Sequence, residues 1–314
     1  MGYRKNKDGV QKYYYNYTSS KSTIIQKDWF KENGYKLDQY PDAFYEHVEN
    51  ELKPPLRAYW AMLIDGDGTV VDTYTEIKLT TREPVQYLAD LYGSSLSFIQ
   101  HSGKNEWSDL YVTRLYGKRF FHFVKLICPY ASEKKQHLIK IINKKEPNYH
   151  PPKILMDFKK DPGQISIHMG MVAGLFDSEG SAGIKPSIAK YKTKNKGIRI
   201  CNTLTQWVHF TNTNLRLLRK IKKILESWPF TFKPKIYSHQ EKTLTKNGKL
   251  QKRKYQLQIP THQHLLFMAL FNPILMIEKK KQQVDRFKNL KMVNERFFTS
   301  GNGIKRGKRH EKKF

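Results

Sequence analysis

Trp60-Ala61-Met62-Leu63-Ile64-Asp65-Gly66-Asp67-Gly68-Thr69 and Val172-Ala173-Gly174-Leu175-Phe176-Asp177-Ser178-Glu179-Gly180-Ser181 are near copies of one segment. Each is an apolar helical run that closes on acid, small residue, acid, Gly and a hydroxyl residue. The last acids, Asp67 and Glu179, stand 112 positions apart (67 to 179), which suits two tandem copies of one small domain. Helical counting puts Gly170, Gly174 and Ser178 on one stripe, and Ala58, Met62 and Gly66 on the matching stripe of the first copy. Small residues there let two helix backbones approach closely. Packed side by side, the helices would bring Asp67 and Glu179 together at the negative ends of both helix dipoles. Neither carboxylate is comfortable there unaided. Mg²⁺, or another divalent cation, would relieve the conflict with one or two carboxylates plus phosphate oxygens and water.

An acidic turn could also be a calcium loop, with Asp65, Asp67 and Glu76 as oxygen ligands. Val70, however, stands where the sharp turn of such a loop needs Gly, and the second copy ends on Ile188 instead of an acid. Two copies in one chain argue against a chance acidic turn.

The 314 residues carry 57 Lys plus Arg against 28 Asp plus Glu, a formal net charge of +29. That length accommodates two domains with cores, and the excess charge favours a polyanionic partner over a self-repelling solitary fold. Codon bias in an AT-rich genome is the competing source of the lysines. Cys128 and Cys201 are isolated and read as ordinary thiols in a reducing compartment. The start has no apolar signal region, and Asn6 breaks the myristoylation pattern that Gly2 suggests. No uncharged run reaches the roughly 18 residues of a membrane span.

Residues 1–53 read as a polar, Tyr- and Lys-rich extension with one helix around Ile24–Lys31, its role not readable. Pro54-Pro55 opens the first motif helix. Strands at Thr69–Thr73 and Tyr74–Thr80, a helix from Pro84 to Leu91, a hairpin (Leu96–His101, Leu110–Tyr116) and a helical Pro129–Ile142 complete a first domain over 54–146. Prolines mark 147–165 as a linker. The second domain, 166–298, repeats the order: helix Ser166–Ser178, strands Ala182–Ala189 and Ile198–Thr211, helix Leu215–Ser227, hairpin Lys235–Thr243 and Leu250–Ile259, then helices 263–270 and 273–287. A basic tail, 299–314, follows. The fold class is α+β, α-β-β-α-β-β-α read twice.

With these motifs the chain resembles the LAGLIDADG homing endonucleases, in the single-chain form carrying two motifs, over roughly residues 56–298. The resemblance implies two pseudo-symmetric αββαββα halves, motif helices packed at their interface, and saddle-shaped sheets laid along the DNA major groove. It places the metal-ligand and catalytic role on the last acid of each motif, Asp67 and Glu179, and leaves Asp65 and Asp177 as structural acids. It also implies a basic residue from a Pro-started helix in each half. Cys128-Pro129-Tyr130-Ala131-Ser132-Glu133-Lys134 points to Lys134. In the second half Glu278 occupies the matching offset after Pro273, leaving either Lys279 in the role, the preferred reading, or an asymmetric site. Met62 departs from the small residue usual at the helix interface. A polar residue ending the second strand orders water in this family, and Thr81 and Asn212 stand at about that position; Asn212 reads equally well as a helix cap.

The second-half strands interleave basic and polar residues, and alternation lets part of this groove-reading set share one face: Lys185, Lys190, Lys192, Arg199, Gln206, Lys235, Tyr237, His239, Lys252, Arg253, Lys254 and Gln256. The function implied is a site-specific homing endonuclease, a monomer making a Mg²⁺-dependent staggered double-strand break in a long DNA target, with no membrane partner. Family habit and composition imply an intron-encoded protein of an organelle, chloroplast or mitochondrion. An intron maturase binding RNA, or a non-cleaving DNA-binding regulator, are the alternative readings.

Overall fold

The structure, a computed structural model, describes residues 3–5, 11–13, 17–20, 42–99, 109–154, 162–193, 197–228, 230, 232–239 and 253–288. Three short strands, β1 (Tyr3–Lys5), β2 (Gln11–Tyr13) and β3 (Tyr17–Ser20), precede helix α1 (Asp42–Glu51). The first half follows as α2 (Pro54–Asp67), β4 (Thr69–Val70), β5 (Tyr74–Leu79), α3 (Arg82–Tyr92), β6 (Leu96–Ile99), β7 (Leu110–Tyr116), α4 (Gly117–Ile127) and α5 (Lys135–Asn143). The second half runs α6 (Ile165–Glu179), β8 (Gly180–Thr193), β9 (Gly197–Asn212), α7 (Leu215–Ser227), β10 (Lys235–His239), β11 (Lys254–Gln258), α8 (His264–Phe271) and α9 (Glu278–Lys288). The expected helix around Ile24–Lys31, the tip of the second hairpin and the basic tail lie outside the described residues.

Both sheets are antiparallel and share one strand order. In the first half β6-β7-β5-β4 form the sheet, with β3 added on the β6 edge; in the second the order is β10-β11-β9-β8. The element order and the sheet order thus repeat together, giving two αββαββα units, each with a second helix at its end. Alternation explains the layers. On β9, Val208 and Phe210 are buried against helices, as Ile77 and Leu79 are on β5, and the residues between them face outward.

The two motif helices, α2 and α6, form the centre. Pro54-Pro55 presets the first turn of α2, where a missing N–H costs nothing. Helix α6 is apolar nearly all round, with every residue from Gly170 to Asp177 buried, as expected of a helix enclosed by other elements. A Cβ on Gly170 would lie 2.0 Å from the Pro55 carbonyl oxygen, and one on Gly174 would lie 2.1 Å from that of Tyr59. Backbone therefore packs directly on backbone. Met62, at the position matching Gly174, is fully buried without preventing this contact, because the glycines of α6 provide the room. Both helices end where Gly68 and Gly180 fold the chain back across the last turn; a Cβ on Gly180 would lie 2.4 Å from the Phe176 carbonyl oxygen.

Two helices start later than their prolines predict. Residues 129–134 and 272–277 lie outside any regular helix and lead into α5 and α9. Helices α1 and α4 were not expected; Phe120, Phe123, Val124 and Ile127 bury one stripe of α4, and Phe44 and Val48 one face of α1. Among the described residues no helix is long and apolar enough to cross a membrane.

The glycine contacts make a direct prediction. Gly174→Ala should lower the free energy of unfolding by about 1–3 kcal/mol, because the added methyl meets backbone that cannot rotate away. Urea unfolding measures it; a variant as stable as the parent would mean that the helices do not touch this closely.

Candidate functional site

The site grows from the two motif-helix tips. Asp65 and Asp177 are buried, and each captures its own half's turn. Asp65 accepts the Ser132 amide at 2.5 Å and the Lys134 amide at 2.9 Å. Asp177 Oδ2 accepts the Met276 amide at 2.7 Å, the Ile277 amide at 3.2 Å and the Tyr59 hydroxyl at 2.6 Å. Those turns deliver a lysine each to the exposed carbonyls that every helix C-terminus leaves behind. Lys134 Nζ donates to Ile64 O and Asp65 O. Lys280 Nζ donates to Phe176 O and Asp177 O, both at 2.5 Å, the same two positions of the second motif.

The second-half lysine is therefore Lys280, and the expectation of Lys279 is corrected. Lys279 is exposed on α9 and makes no contact with the tip among the described residues. Counting from proline misplaces it because Lys134 stands five residues after Pro129, just before α5, whereas Lys280 stands seven after Pro273, in the first turn of α9. Glu278, which sits at the expected offset, is exposed as well.

Asp67 and Glu179 end the two helices, and both carboxyls hold a proton more tightly than usual, chiefly because they are drawn out of water. Removal from water, followed by the charge of Asp67, pushes the Glu179 carboxyl up to about 7. Asp67 is exposed as a whole residue, yet the protein around its carboxyl still raises it, against the pull of Lys280 and Lys134. Burial in turn lowers both ammonium groups, Lys280 to about 8, while Asp67 and Glu179 act to keep them charged. Two carboxylates meeting at the negative ends of two dipoles, each with raised affinity for a positive charge, fit a hard divalent cation. Among the described residues no group of three or more His, Cys, Asp or Glu could cage a metal alone. A cation here would complete its shell with water and phosphate oxygens.

Asn212 reaches the site. Its Nδ2 donates to Glu179 Oε1 at 2.7 Å, while its Oδ1 accepts the Asn214 amide at 2.6 Å. The helix-capping role belongs to Asn214, whose Oδ1 accepts the Arg216 and Leu217 amides. Thr81 does not pair with Asn212. Strand register matches Thr69–Glu76 with Ser181–His209, so the counterpart of Asn212 is Leu79, and Thr81 matches Asn214. Thr81 sits at the N-cap of α3 with its hydroxyl buried and unpartnered among the described residues. Leu79 is buried in the core. Glu179 has an amide partner that the first half does not reproduce for Asp67.

A cleft opens beside Glu179, lined by Asp65, Gly66, Glu133, Lys134, Asn212 and Lys254 among others. It connects the helix tips to the outward face of the second sheet, since Ser181, Thr211 and Lys254 line it and all lie on that face. Register places Lys185, Lys235, Tyr237, Lys254 and Gln256 on the same face. Lys185, Lys235 and Tyr237 are exposed there. Gln206 departs from the expected set: period-two alternation puts it on the core side with Val208 and Phe210. Arg253 is exposed one residue before β11. For Lys190, Lys192, Arg199 and His239 only the strand backbone is described, and Lys252 lies outside the described residues. On the outward face of the first sheet Glu76 is held by Arg114 at 2.5 Å and Lys78 at 2.6 Å. The alternation of β5 and β7 could have revealed these two cations.

No protein-family model matches the chain, and no curated protein matches it by sequence. Solved structures similar to it include the LAGLIDADG meganuclease I-AabMI bound to uncleaved DNA, with 13% identity, a TM-score of 0.47, and 77% of this chain and 92% of that one covered. The meganuclease I-SmaMI, bound to uncleaveable DNA with a TTGT central four, has 13% identity, a TM-score of 0.45, and coverage of 78% and 94%. I-DmoI in complex with DNA and Mn has 15% identity, a TM-score of 0.35, and coverage of 69% and 96%.

The raised Glu179 carboxyl has a testable sign. The folded chain holds that proton more tightly than the unfolded chain, so without metal stability should fall as pH rises from about 4.5 through about 7. Glu179→Gln should remove this dependence and be more stable than the parent at pH 8 by on the order of 1–3 kcal/mol. Urea unfolding at pH 5 and pH 8 in a chelator checks it. Equal stability at pH 8 would contradict the shift.

Proposed function

We propose that the chain is a single-chain LAGLIDADG homing endonuclease with two motifs, a monomer that cuts both strands of a long DNA target. The observation that carries this reading is the meeting of two acid-tipped helices, each with a lysine lodged on its last carbonyls, beside a basic sheet face. A solvated acidic turn would have no reason to repeat, to be buried at its first acid, or to open into that face.

The roles follow from position. A divalent cation held by Asp67 and Glu179 would supply positive charge to a scissile phosphate and lower the pKa of an attacking water. The protein's own residues do the rest. Asp65 and Asp177 fix the two turns, so that Lys134 and Lys280 sit preorganised near developing negative charge. Asn212 orients Glu179 and is placed to hold a water beside it. Lys185, Lys235 and Lys254 attract the phosphate backbone, while Tyr237 and Gln256 offer side chains to base edges. Two acids of two halves face two strands, which is the arrangement a staggered double-strand break needs.

Three outcomes check this. On a duplex carrying the uninterrupted insertion site of the gene, with Mg²⁺ present, Asp67→Asn or Glu179→Gln should slow double-strand cleavage at least about 100-fold with DNA binding retained. Full cutting by the double variant would reject the site. Lys280→Met should slow cleavage at least about tenfold and Lys279→Met less than about twofold; the reverse order would return the role to Lys279. DNA affinity should fall by about 10³–10⁵ between 50 and 200 mM salt, as for roughly 6–10 phosphate contacts. A flat response would exclude the basic face as the DNA surface.

A further inference from the structure

Two side chains cross from one half to the other just beneath the helix tips, and neither hydrogen bond is repeated in the opposite direction among the described residues. Lys220 lies on α7 of the second half. Its Nζ donates to Tyr130 O at 2.9 Å and to Ala131 O at 3.5 Å, in the first half's turn. The next amides of that turn, Ser132 and Lys134, are those bound by Asp65. Tyr59 lies on α2 of the first half, fully buried, and its hydroxyl donates to Asp177 Oδ2 at 2.6 Å in the second half. That oxygen also takes the Met276 and Ile277 amides of the second half's turn.

We propose that Lys220 and Tyr59 are positioning residues, each holding from the opposite half the support on which one tip lysine rests. Lys220 braces the turn that delivers Lys134, and Tyr59 braces the acid that anchors the turn delivering Lys280. Pseudo-symmetry sets these two contacts apart from a repeated feature of the fold. The residue matching Tyr59 is Met171, which has no hydrogen to give Asp65. The residue matching Lys220, six past the N-cap, is Tyr87, which instead lines an apolar hollow against Pro273, Ile274, Leu275 and Met276. The first half lacks the tyrosyl brace and receives an ammonium on its turn carbonyls in place of it.

The chemistry supports a specific role. Burial draws Lys220 down to about 8, with Asp65 nearby acting to keep it charged. Taking an ammonium out of water is unfavourable unless its hydrogens find acceptors, and the two turn carbonyls are those acceptors. Without Lys220 the same carbonyls would lose a donor beneath the only turn that carries Lys134. Each half's lysine is then in place only when the other half is docked, which ties correct placement of the reactive groups to the assembled helix pair.

This inference rests on the nuclease reading for its consequence in cutting, but its structural core can be tested without it. Amide hydrogen exchange should be measured on the full chain for the parent, Lys220→Met, Lys220→Arg and Tyr59→Phe. Lys220→Met should speed exchange at Ser132 and Lys134 at least tenfold and leave Met276 and Ile277 as protected as in the parent. Tyr59→Phe should do the opposite, and Lys220→Arg should keep most of the protection. On a duplex labelled at both 5′ ends, Lys220→Met and Tyr59→Phe should each slow mainly one strand, and not the same strand, at least tenfold in kcat with KM unchanged. Equal loss of protection at both turns, no loss at either, or equal slowing of both strands would overturn the proposal. If Lys220→Met does not fold, the exchange patterns of Tyr59→Phe and Lys220→Arg decide. A parent that cuts no DNA would refute the nuclease reading and leave the exchange pattern as the test.

Discussion

Everything in this molecule depends on the contact of α2 with α6. Gly170 and Gly174 bring the second helix onto the Pro55 and Tyr59 carbonyls with no side chain between them. This fixes the two axes at a separation that larger residues would not allow, and it fixes their relative height. Helix length then sets where the tips come, and strand pairing just after each tip, Thr69 with Glu76 and Ser181 with His209, carries the sheets away on the two sides. A site made of two single carboxylates is possible only because the backbone contact holds both in place.

That arrangement gathers charge that would otherwise scatter. Two helix C-termini meet, each with carbonyls lacking intrahelical partners and each tipped by an acid. Dipole effects are worth about 0.3–1 kcal/mol apiece at a surface and up to ~2 when partly buried, too little to force the helices apart against a packed apolar core. They are enough to shape the chemistry. The lysines at 134 and 280 satisfy the carbonyls, the inner acids spend their charge on turn amides, and of the outer acids Glu179 lines the cleft while Asp67 stays exposed at the neighbouring tip. The net result is a pair of carboxyl groups with raised affinity for a positive charge beside a basic sheet, a combination suited to a cation and a phosphate together.

Much of this was legible in the sequence, and the limits have physical causes. The repeated motif, the span of α2 and the bounds of α7 follow from apolar period and from caps that act locally, namely Pro54-Pro55 and Asn214. Lys134 follows from a short turn after Pro129. Lys280 did not, because Lys279, Lys280 and Lys281 are chemically alike and only the start of α9 at Glu278 decides which of them turns toward the tip. Thr81 was matched with Asn212 by its approximate place after a strand, but register, a property of the paired sheet, gives Leu79. Gln206 was assigned to the groove on composition, whereas alternation counted from Phe210 puts it on the core side. Helix α4 was missed although Phe120, Phe123, Val124 and Ile127 mark its stripe. The crossing contacts of Lys220 and Tyr59 have no local signature, since they join residues about 90 and 118 positions apart.

The central claim is that one composite site is made by the outer acids of both helices. It is tested most directly by anomalous diffraction from crystals of the chain with duplex DNA and Mn²⁺. Manganese peaks are expected within ligand distance of both the Asp67 and Glu179 carboxylates, next to backbone phosphates, and should be lost in the Asp67→Asn, Glu179→Gln double variant. Manganese bound elsewhere while the DNA lies on the sheets, or peaks that persist in the double variant, would contradict it.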